Sequence, residues 1–174
     1  MKKHIRALGA AVLLLAVTAG AQTPPTPAHQ RLSYFVGHWK TEGVVHAGPF
    51  SPGGAFSSDD HAEWMDGEFF VVTRAASTTP QGRQFQLSVL GYDAQQQVYT
   101  FSAFNNAGVR TTATGTVDGD TWTWVSADTI GGQTIRLRHT ITMASPSAYT
   151  FRFDLSTDGA TWSTFIDGKT TKTD

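Results

Sequence analysis

The chain has 174 residues, with 13 Lys and Arg against 14 Asp and Glu, which gives a formal net charge of −1. It contains no cysteine, so disulfide bonds, thiolate metal sites and lipid attachment to a cysteine are excluded. A chain with this charge balance and no long basic run is a poor binder of nucleic acid or of anionic membranes.

The first 21 residues have the pattern of a secretory signal peptide. Three Lys and Arg residues lie before residue 7, an apolar run spans 7–17, and a small-x-small sequence at 19–21 precedes Gln22. The apolar run is about eleven residues long, too short to cross a bilayer, which argues against a permanent membrane anchor. We therefore expect cleavage before Gln22, a periplasmic or secreted protein, and no stable membrane insertion afterwards. The mature chain would keep 10 basic and 14 acidic residues, a net charge of −4.

The mature chain divides into a short linker and one domain. Three prolines within residues 22–30 indicate an extended linker. Residues 31–172 then form a single domain, because a mature chain of about 150 residues is long enough to bury one core.

A short helix is expected at the start of the domain. Leu32, Phe35 and Val36 have the i, i+3, i+4 spacing of one helical face, which predicts one or two turns over residues 28–36. Gly37 ends this helix, and from there onwards the apolar residues alternate with a period of two.

About ten strands follow at intervals of about 8–12 residues, joined by tight turns and with no helical stretch between them. For example, Gln84 to Tyr92 has Phe85 and Leu87 on one face and Gln86 and Ser88 on the other. The predicted strands are Trp39 to His46, Phe56 to Met65, Glu68 to Ala76, Gln84 to Tyr92, Val98 to Phe104, Val109 to Val117, Thr121 to Ala127, Thr134 to Met143, Tyr149 to Leu155 and Thr161 to Lys169. Neighbouring strands joined this way pair antiparallel, and closing the sheet removes its edges. The predicted fold is therefore an all-β, antiparallel up-and-down barrel, with a β-sandwich as the alternative.

Two sets of motifs resemble a known superfamily. Gly37-x-Trp39 after a short helix resembles the opening of the calycins, which include lipocalins and fatty-acid-binding proteins and which place this Trp under the barrel floor. The motifs at 91–93, 98–99, 104–109 and 115–119 are similar to those of a family of secreted bacterial lipocalin-like proteins of unknown function. The resemblance spans Leu32 to Lys172 and implies a lipocalin-like barrel, with no activity attached to it.

The chain departs from related barrels at two places. In lipocalins a basic residue from near the last strand, usually Arg, packs over the floor Trp, and here Lys169 or Lys172 would have to do so. A haem-binding, nitrobindin-like barrel family shares the Gly-x-Trp opening. It continues with a Gly where this chain has Thr41, and it has a His on the last strand that this chain lacks. We therefore predict no cofactor, with a haem-binding barrel or cavity enzyme as an alternative.

Other polar clusters give weaker indications. Asp59, Asp60, His61 and Glu63 look like metal ligands at first. Asp59, His61 and Glu63 share one strand face, with Asp60 in phase with Ala62 and Trp64, and without loop ligands a solvated outer face is more typical. His38 and His46, which flank the first strand, are expected on the surface. We also find no nucleophile elbow, phosphate-binding Gly loop or zinc-protease motif, so no catalytic residue and no metal site is predicted.

His139 is the more informative polar residue. It lies in phase with Ile135, Leu137 and Ile141, so it should point into the barrel if the apolar face does. An aromatic interior with one imidazole suits a small apolar ligand, although a small barrel can also fill itself and serve protein interaction. The predicted ligand-binding residues are His139, Tyr99, Phe101, Tyr149, Phe151 and Phe153. We therefore predict binding of a small apolar molecule, and we make no prediction of the oligomeric state.

Overall fold

The computed structural model describes residues 24–130 and 132–173, so the predicted signal peptide at 1–21 lies outside the described residues. A short helical segment comes first. It consists of the helix α1 (Pro27–Gln30) and a 3-10 helix (Arg31–Phe35). The strands are β1 (Gly37–Val45), β2 (Gly54–Trp64), β3 (Phe70–Thr79), β4 (Gly82–Asp93), β5 (Val98–Asn105), β6 (Arg110–Asp118), β7 (Thr121–Ile130), β8 (Gln133–Ser145), β9 (Ala148–Ser156) and β10 (Ser163–Lys172).

The ten strands form one closed barrel. Each strand pairs antiparallel with its neighbours in sequence, and β1 pairs with β10 to complete the ring. The prediction of an all-β, up-and-down barrel of about ten strands after a short N-terminal helix is confirmed, and the alternative of a sandwich is not observed. Closure pairs every strand on both sides, which removes the free edges that a ten-stranded open sheet would have.

Two facing glycines allow β1 and β10 to meet at the closing seam. Gly43 lies opposite Gly168 in this pairing. A Cβ atom on Gly43 would come within 2.4 Å of the backbone oxygen of Asp167, and one on Gly168 within 2.3 Å of that of Glu42. The strands therefore approach at this point more closely than any side chain would permit.

The helical segment closes one end of the barrel, which we call the floor. Leu32 is fully buried there, and the Trp39 side chain is 3% exposed. The Trp39 Nε1–H donates to the Phe35 backbone oxygen at 2.8 Å, so the indole is tied to the end of the 3-10 helix. Lys172 lies opposite Trp39, and its Nζ is 5.3 Å from the centre of the Trp39 ring. Of the two candidates, Lys169 and Lys172, it is therefore Lys172 that packs over the Trp39 ring.

On β4 the polar face is the inner one, whereas on β8 the apolar face is the inner one. On β4 the polar residues Gln86 and Ser88 face the barrel interior. Phe85 and Leu87 lie on the outer face with exposures of 48% and 41%, and Leu87 is opposite Phe104, which is 49% exposed. An apolar patch therefore covers the outside of β4 and β5. The alternation in the sequence separates the two faces of a strand but does not say which of them is inside.

None of the helices among the described residues is long and apolar enough to span a bilayer.

Candidate functional site

The barrel interior contains a cavity with two adjoining compartments. The first compartment has a volume of about 170 Å³ and reaches the floor at Phe35 and Trp39. The second has a volume of about 200 Å³ and lies against Phe56, Phe151 and Phe153. Six residues line both compartments, and we call them the junction. The junction consists of Asp60, Ala75, Gln86, Phe101, His139 and Tyr149. Outside the junction, the first compartment is mainly apolar, and the second combines phenylalanine rings with hydroxyl groups. Apolar walls with a few polar groups are typical of small-molecule sites.

His139 lies in the junction with its ring held by aromatic neighbours. Its ring stacks on that of Phe153 with centres 3.9 Å apart, and it meets the Phe151 ring edge-on at 6.1 Å. Within the described part of the chain, neither ring nitrogen is hydrogen-bonded. The ring is half-buried and lines the cavity. Burial lowers the pKa of His139 to about 3, so the imidazole is neutral at physiological pH and offers one donor and one acceptor.

Asp60 also lines the cavity, and it accepts one hydrogen bond, from the hydroxyl of Ser58. The Ser58 hydroxyl donates to its Oδ1, and the Ser77 hydroxyl donates to Ser58 Oγ at 3.1 Å. Burial raises the pKa of Asp60, the bond from Ser58 opposes that rise, and the neighbouring charge of Asp59 adds to it. This carboxyl is therefore a desolvated acceptor, and the single donor from Ser58 does not fully satisfy it.

The residues next to Asp60 lie on the outer face of β2, as predicted. Asp59, His61 and Glu63 are exposed, and Glu63 forms an ion pair with Arg74 at 2.7 Å. His38 and His46 are exposed as well. Across residues 24–130 and 132–173, no group of three or more His, Asp, Glu or Cys side chains could hold a metal ion.

Tyr149 connects the junction to the floor. Its ring lies 5.3 Å from that of Trp39, measured between centres. Burial raises the pKa of Tyr149 to about 12, a hydrogen bond with Thr170 opposes this, and the charge of Asp60 adds to it. The phenol is therefore neutral at physiological pH, and it lines both compartments together with Asp60.

The structure brings together five of the six predicted ligand-binding residues. Three of them are junction residues, and the other two line the second compartment. These five are His139, Phe101, Tyr149, Phe151 and Phe153. The sixth, Tyr99, packs in the floor, where its hydroxyl donates to the Ala28 backbone oxygen at 3.1 Å and its ring is 4.6 Å from that of Trp122.

The predicted ligand-binding set left out several residues that line the cavity, among them Asp60, Gln86 and Trp124. A signal for Asp60 existed, since it is in phase with Ala62, which is buried on the inner face of β2. Gln86 is likewise in phase with the buried Leu90. In both cases the apolar residues nearest the floor identify the inner face of the strand, and the polar residues further along it then face the cavity.

Comparison with solved structures supports the fold. The crystal structure of Rv2717c from M. tuberculosis is similar to the chain with a TM-score of 0.62 and 12% sequence identity, covering 86% of this chain and 99% of that one. At this identity the likeness shows the fold alone. No curated protein is significantly similar to the chain. A model of the family described as "Protein of unknown function (DUF1579)" matches residues 24–172. Because this match covers most of the chain, the protein is a member of the DUF1579 family.

Proposed function

We propose that this barrel binds a small, mainly apolar molecule in its cavity, in the manner of a lipocalin-like protein, and that His139 is the polar anchor. The observation that carries the proposal is the imidazole of His139, which faces the cavity without a hydrogen-bond partner in the described residues. A buried polar group left unpaired costs about 1–3 kcal/mol, so a ligand that bonds to it gains that free energy on binding.

The surroundings of His139 favour an apolar or aromatic ligand body. Leu90, Trp124 and Ile141 line the first compartment, and Phe56 and Phe151 line the second. Contact with these side chains would supply most of the affinity, while the junction would fix the orientation of the ligand. The stack on Phe153 holds the imidazole in one plane and so limits the entropy lost when a ligand bonds to it.

We propose that the ligand is met outside the cytoplasm. The basic start, the short apolar run and the small residues before Gln22 support export with cleavage at that point. The mass of the protein recovered from the periplasm or medium should begin at Gln22, or within a residue or two of it. A product that keeps Met1 and stays with the membrane would contradict export with cleavage.

The test of His139 uses N-phenyl-1-naphthylamine, a neutral fluorescent probe with an apolar body and one N–H group. We expect the wild-type protein to bind it with enhanced fluorescence. The change His139→Leu should weaken binding by about tenfold or more, which corresponds to about 1.4 kcal/mol. The variant should stay folded, because Leu fills similar space without a polar atom.

His61→Leu is the matched control, because it removes an exposed imidazole from the outer face of β2. It should bind the probe as the wild type does. Equal affinity in wild type and His139→Leu would remove His139 from the site. No uptake by either protein would refute ligand binding and favour a filled barrel that serves protein interaction.

The absorbance spectrum of the same proteins mixed with haemin tests the alternative of a haem-binding barrel. A Soret band that appears with the wild type and is lost in His139→Leu would replace the proposal of an apolar ligand. β10 contains no histidine that could bind haem iron. His139 on β8 lines the cavity, so it is the residue to test for this role.

A further inference from the structure

We propose that the ligand is a compact apolar amine, bound as its ammonium by the carboxylate of Asp60, and that the cavity rejects carboxylates and other anions. This inference rests on the proposed ligand-binding function and adds the chemical class of the ligand. Three observations support it: the charges that line the cavity, the free oxygen of Asp60 and the polar groups around it.

The lining of the cavity contains no cation. Among the described residues that line either compartment, none is Lys or Arg. The one imidazole, His139, is held neutral by burial, and the phenol of Tyr149 is neutral as well. An anionic head group inside the barrel would therefore lose its hydration without gaining an opposite charge, which is strongly unfavourable. This argues against a fatty-acid anion as the ligand.

Asp60 is the group in this lining that can become charged near neutral pH. Its Oδ1 accepts from the Ser58 hydroxyl, and no donor to Oδ2 is present in the described part of the chain. Burial opposes the negative form, while the hydrogen bond from the Ser58 hydroxyl stabilises it. A buried carboxylate that lacks a counter-charge is costly, and a ligand cation beside it removes that cost. An ammonium at Oδ2 supplies both the charge and the missing donor.

The proton balance is the same for both forms of the amine. If an ammonium meets ionised Asp60, no proton moves and the pair forms directly. If a neutral amine meets protonated Asp60, the proton passes from the carboxyl to the amine nitrogen, and the same pair results. The remaining N–H groups of the ammonium can then donate to the acceptor nitrogen of His139 or to Gln86, which also line the junction.

The orientation of the ligand follows from the position of Asp60. Asp60 lies in the junction, and apolar side chains lie beyond it in both compartments. The ammonium would therefore sit at the junction, and the apolar body would extend into the first compartment towards Leu90 and Ile141, or into the second towards Phe153. A short chain, or one or two aromatic rings in each compartment, fits volumes of about 170 and 200 Å³.

The test compares octylamine, octanol and octanoate as competitors of bound N-phenyl-1-naphthylamine at neutral pH. The three share one chain length and differ in head-group charge. We expect octylamine to displace the probe at a concentration at least about tenfold lower than octanoate does, with octanol between them. In Asp60→Asn, the affinity for octylamine should fall about tenfold or more, while octanol should change less than about threefold.

Asp59→Asn is the matched control, because it removes the same charge from the adjacent, outward-facing position. It should keep the wild-type order and affinities. Octanoate equal to octylamine in the wild type, or an unchanged octylamine affinity in Asp60→Asn, would overturn the inference and leave the binding function standing. If the wild type does not take up the probe at all, the proposed function falls and this inference falls with it.

Discussion

The floor and the junction are both rich in polar atoms and aromatic rings, but they differ in how far their polar atoms are hydrogen-bonded. In the floor, the Trp39 indole N–H and the Tyr99 hydroxyl donate to the backbone oxygens of Phe35 and Ala28. In the junction, His139 is half-buried beside the cavity and has no hydrogen bond within the described residues. Paired polar atoms tie the helical segment to the barrel, whereas an unpaired one is left for a ligand.

This contrast separates stability from binding. Changes in the floor should lower the free energy of unfolding, whereas changes in the junction should alter ligand affinity and pH dependence. One floor atom departs from the pattern, since Trp122 Nε1 is buried without a hydrogen-bond partner among the described residues. Its ring packs between those of Phe35 and Tyr99, with centres 5.0 Å and 4.6 Å away, so aromatic contact holds it there.

The largest effect should come from Trp39→Ala in the floor. Removing a buried indole that packs on Tyr149 and bonds to Phe35 should lower the free energy of unfolding by about 3–5 kcal/mol. Denaturant unfolding measures this value.

Trp162→Ala is a suitable comparison for Trp39→Ala, because Trp162 is half-buried on the outside of the barrel and packs on Arg138, whose Cζ is 4.3 Å from the ring centre. It should cost no more than about 1–2 kcal/mol. If Trp39→Ala costs less than about 1 kcal/mol, the floor is not closed by Trp39.

A smaller effect should appear in the acid sensitivity that His139 confers. The folded protein holds the imidazole neutral with a pKa of about 3, whereas the unfolded chain protonates at its ordinary pKa of 6.5. Its stabilising contribution is therefore complete above pH 6.5 and is lost as pH falls towards 3. Between about pH 7 and about pH 4.5 the loss should be about 2–3 kcal/mol, at about 1.4 kcal/mol per pH unit.

His139→Leu should remove this part of the pH dependence. The measurement is the change in unfolding free energy between the two pH values, compared in wild type and variant. His61→Leu, which changes an exposed ring, should retain the wild-type dependence. If His139→Leu loses as much stability in acid as the wild type does, the ring is hydrated in the folded protein.

The smallest effect should come from Lys172→Met, which keeps the apolar stem and removes the charge above the Trp39 ring. Loss of the cation–π contact should cost about 0.5–1 kcal/mol. Lys169→Met on the same strand, where Lys169 is exposed, should be neutral. Equal losses in the two variants would mean that the contact at 5.3 Å contributes nothing specific.

The fold could be predicted from the sequence because its signals are local. The period-two alternation and the turn sequences gave ten strands, and closure followed because a ten-stranded meander would otherwise have free edges. The inward direction of His139 followed from its phase with Ile135 and Ile141, both of which are buried.

The cavity could be predicted only in part, because alternation gives the face of a residue and not its height in the barrel. Tyr99 and Phe101 share a face, but Tyr99 is two residues nearer the floor and packs under the helical segment, while Phe101 reaches the junction. Asp60 was left out of the predicted ligand-binding residues for a related reason. In a strand, consecutive polar residues alternate between the two faces, so some of them point inwards. Here the buried Ala62 identifies the inner face, and Asp60 lies on it.

The seam between β1 and β10 determines the order in which the barrel can form. Hairpins between successive strands join short stretches of chain and form quickly, whereas the Thr41–Thr170 contact joins residues 129 positions apart. Until that contact forms, β1 and β10 are open edges that can pair with other chains. Gly43 and Gly168 present no side chain there, so the edges of two molecules could meet as readily as the two edges of one. We therefore expect refolding yield, more than final stability, to fall as protein concentration rises.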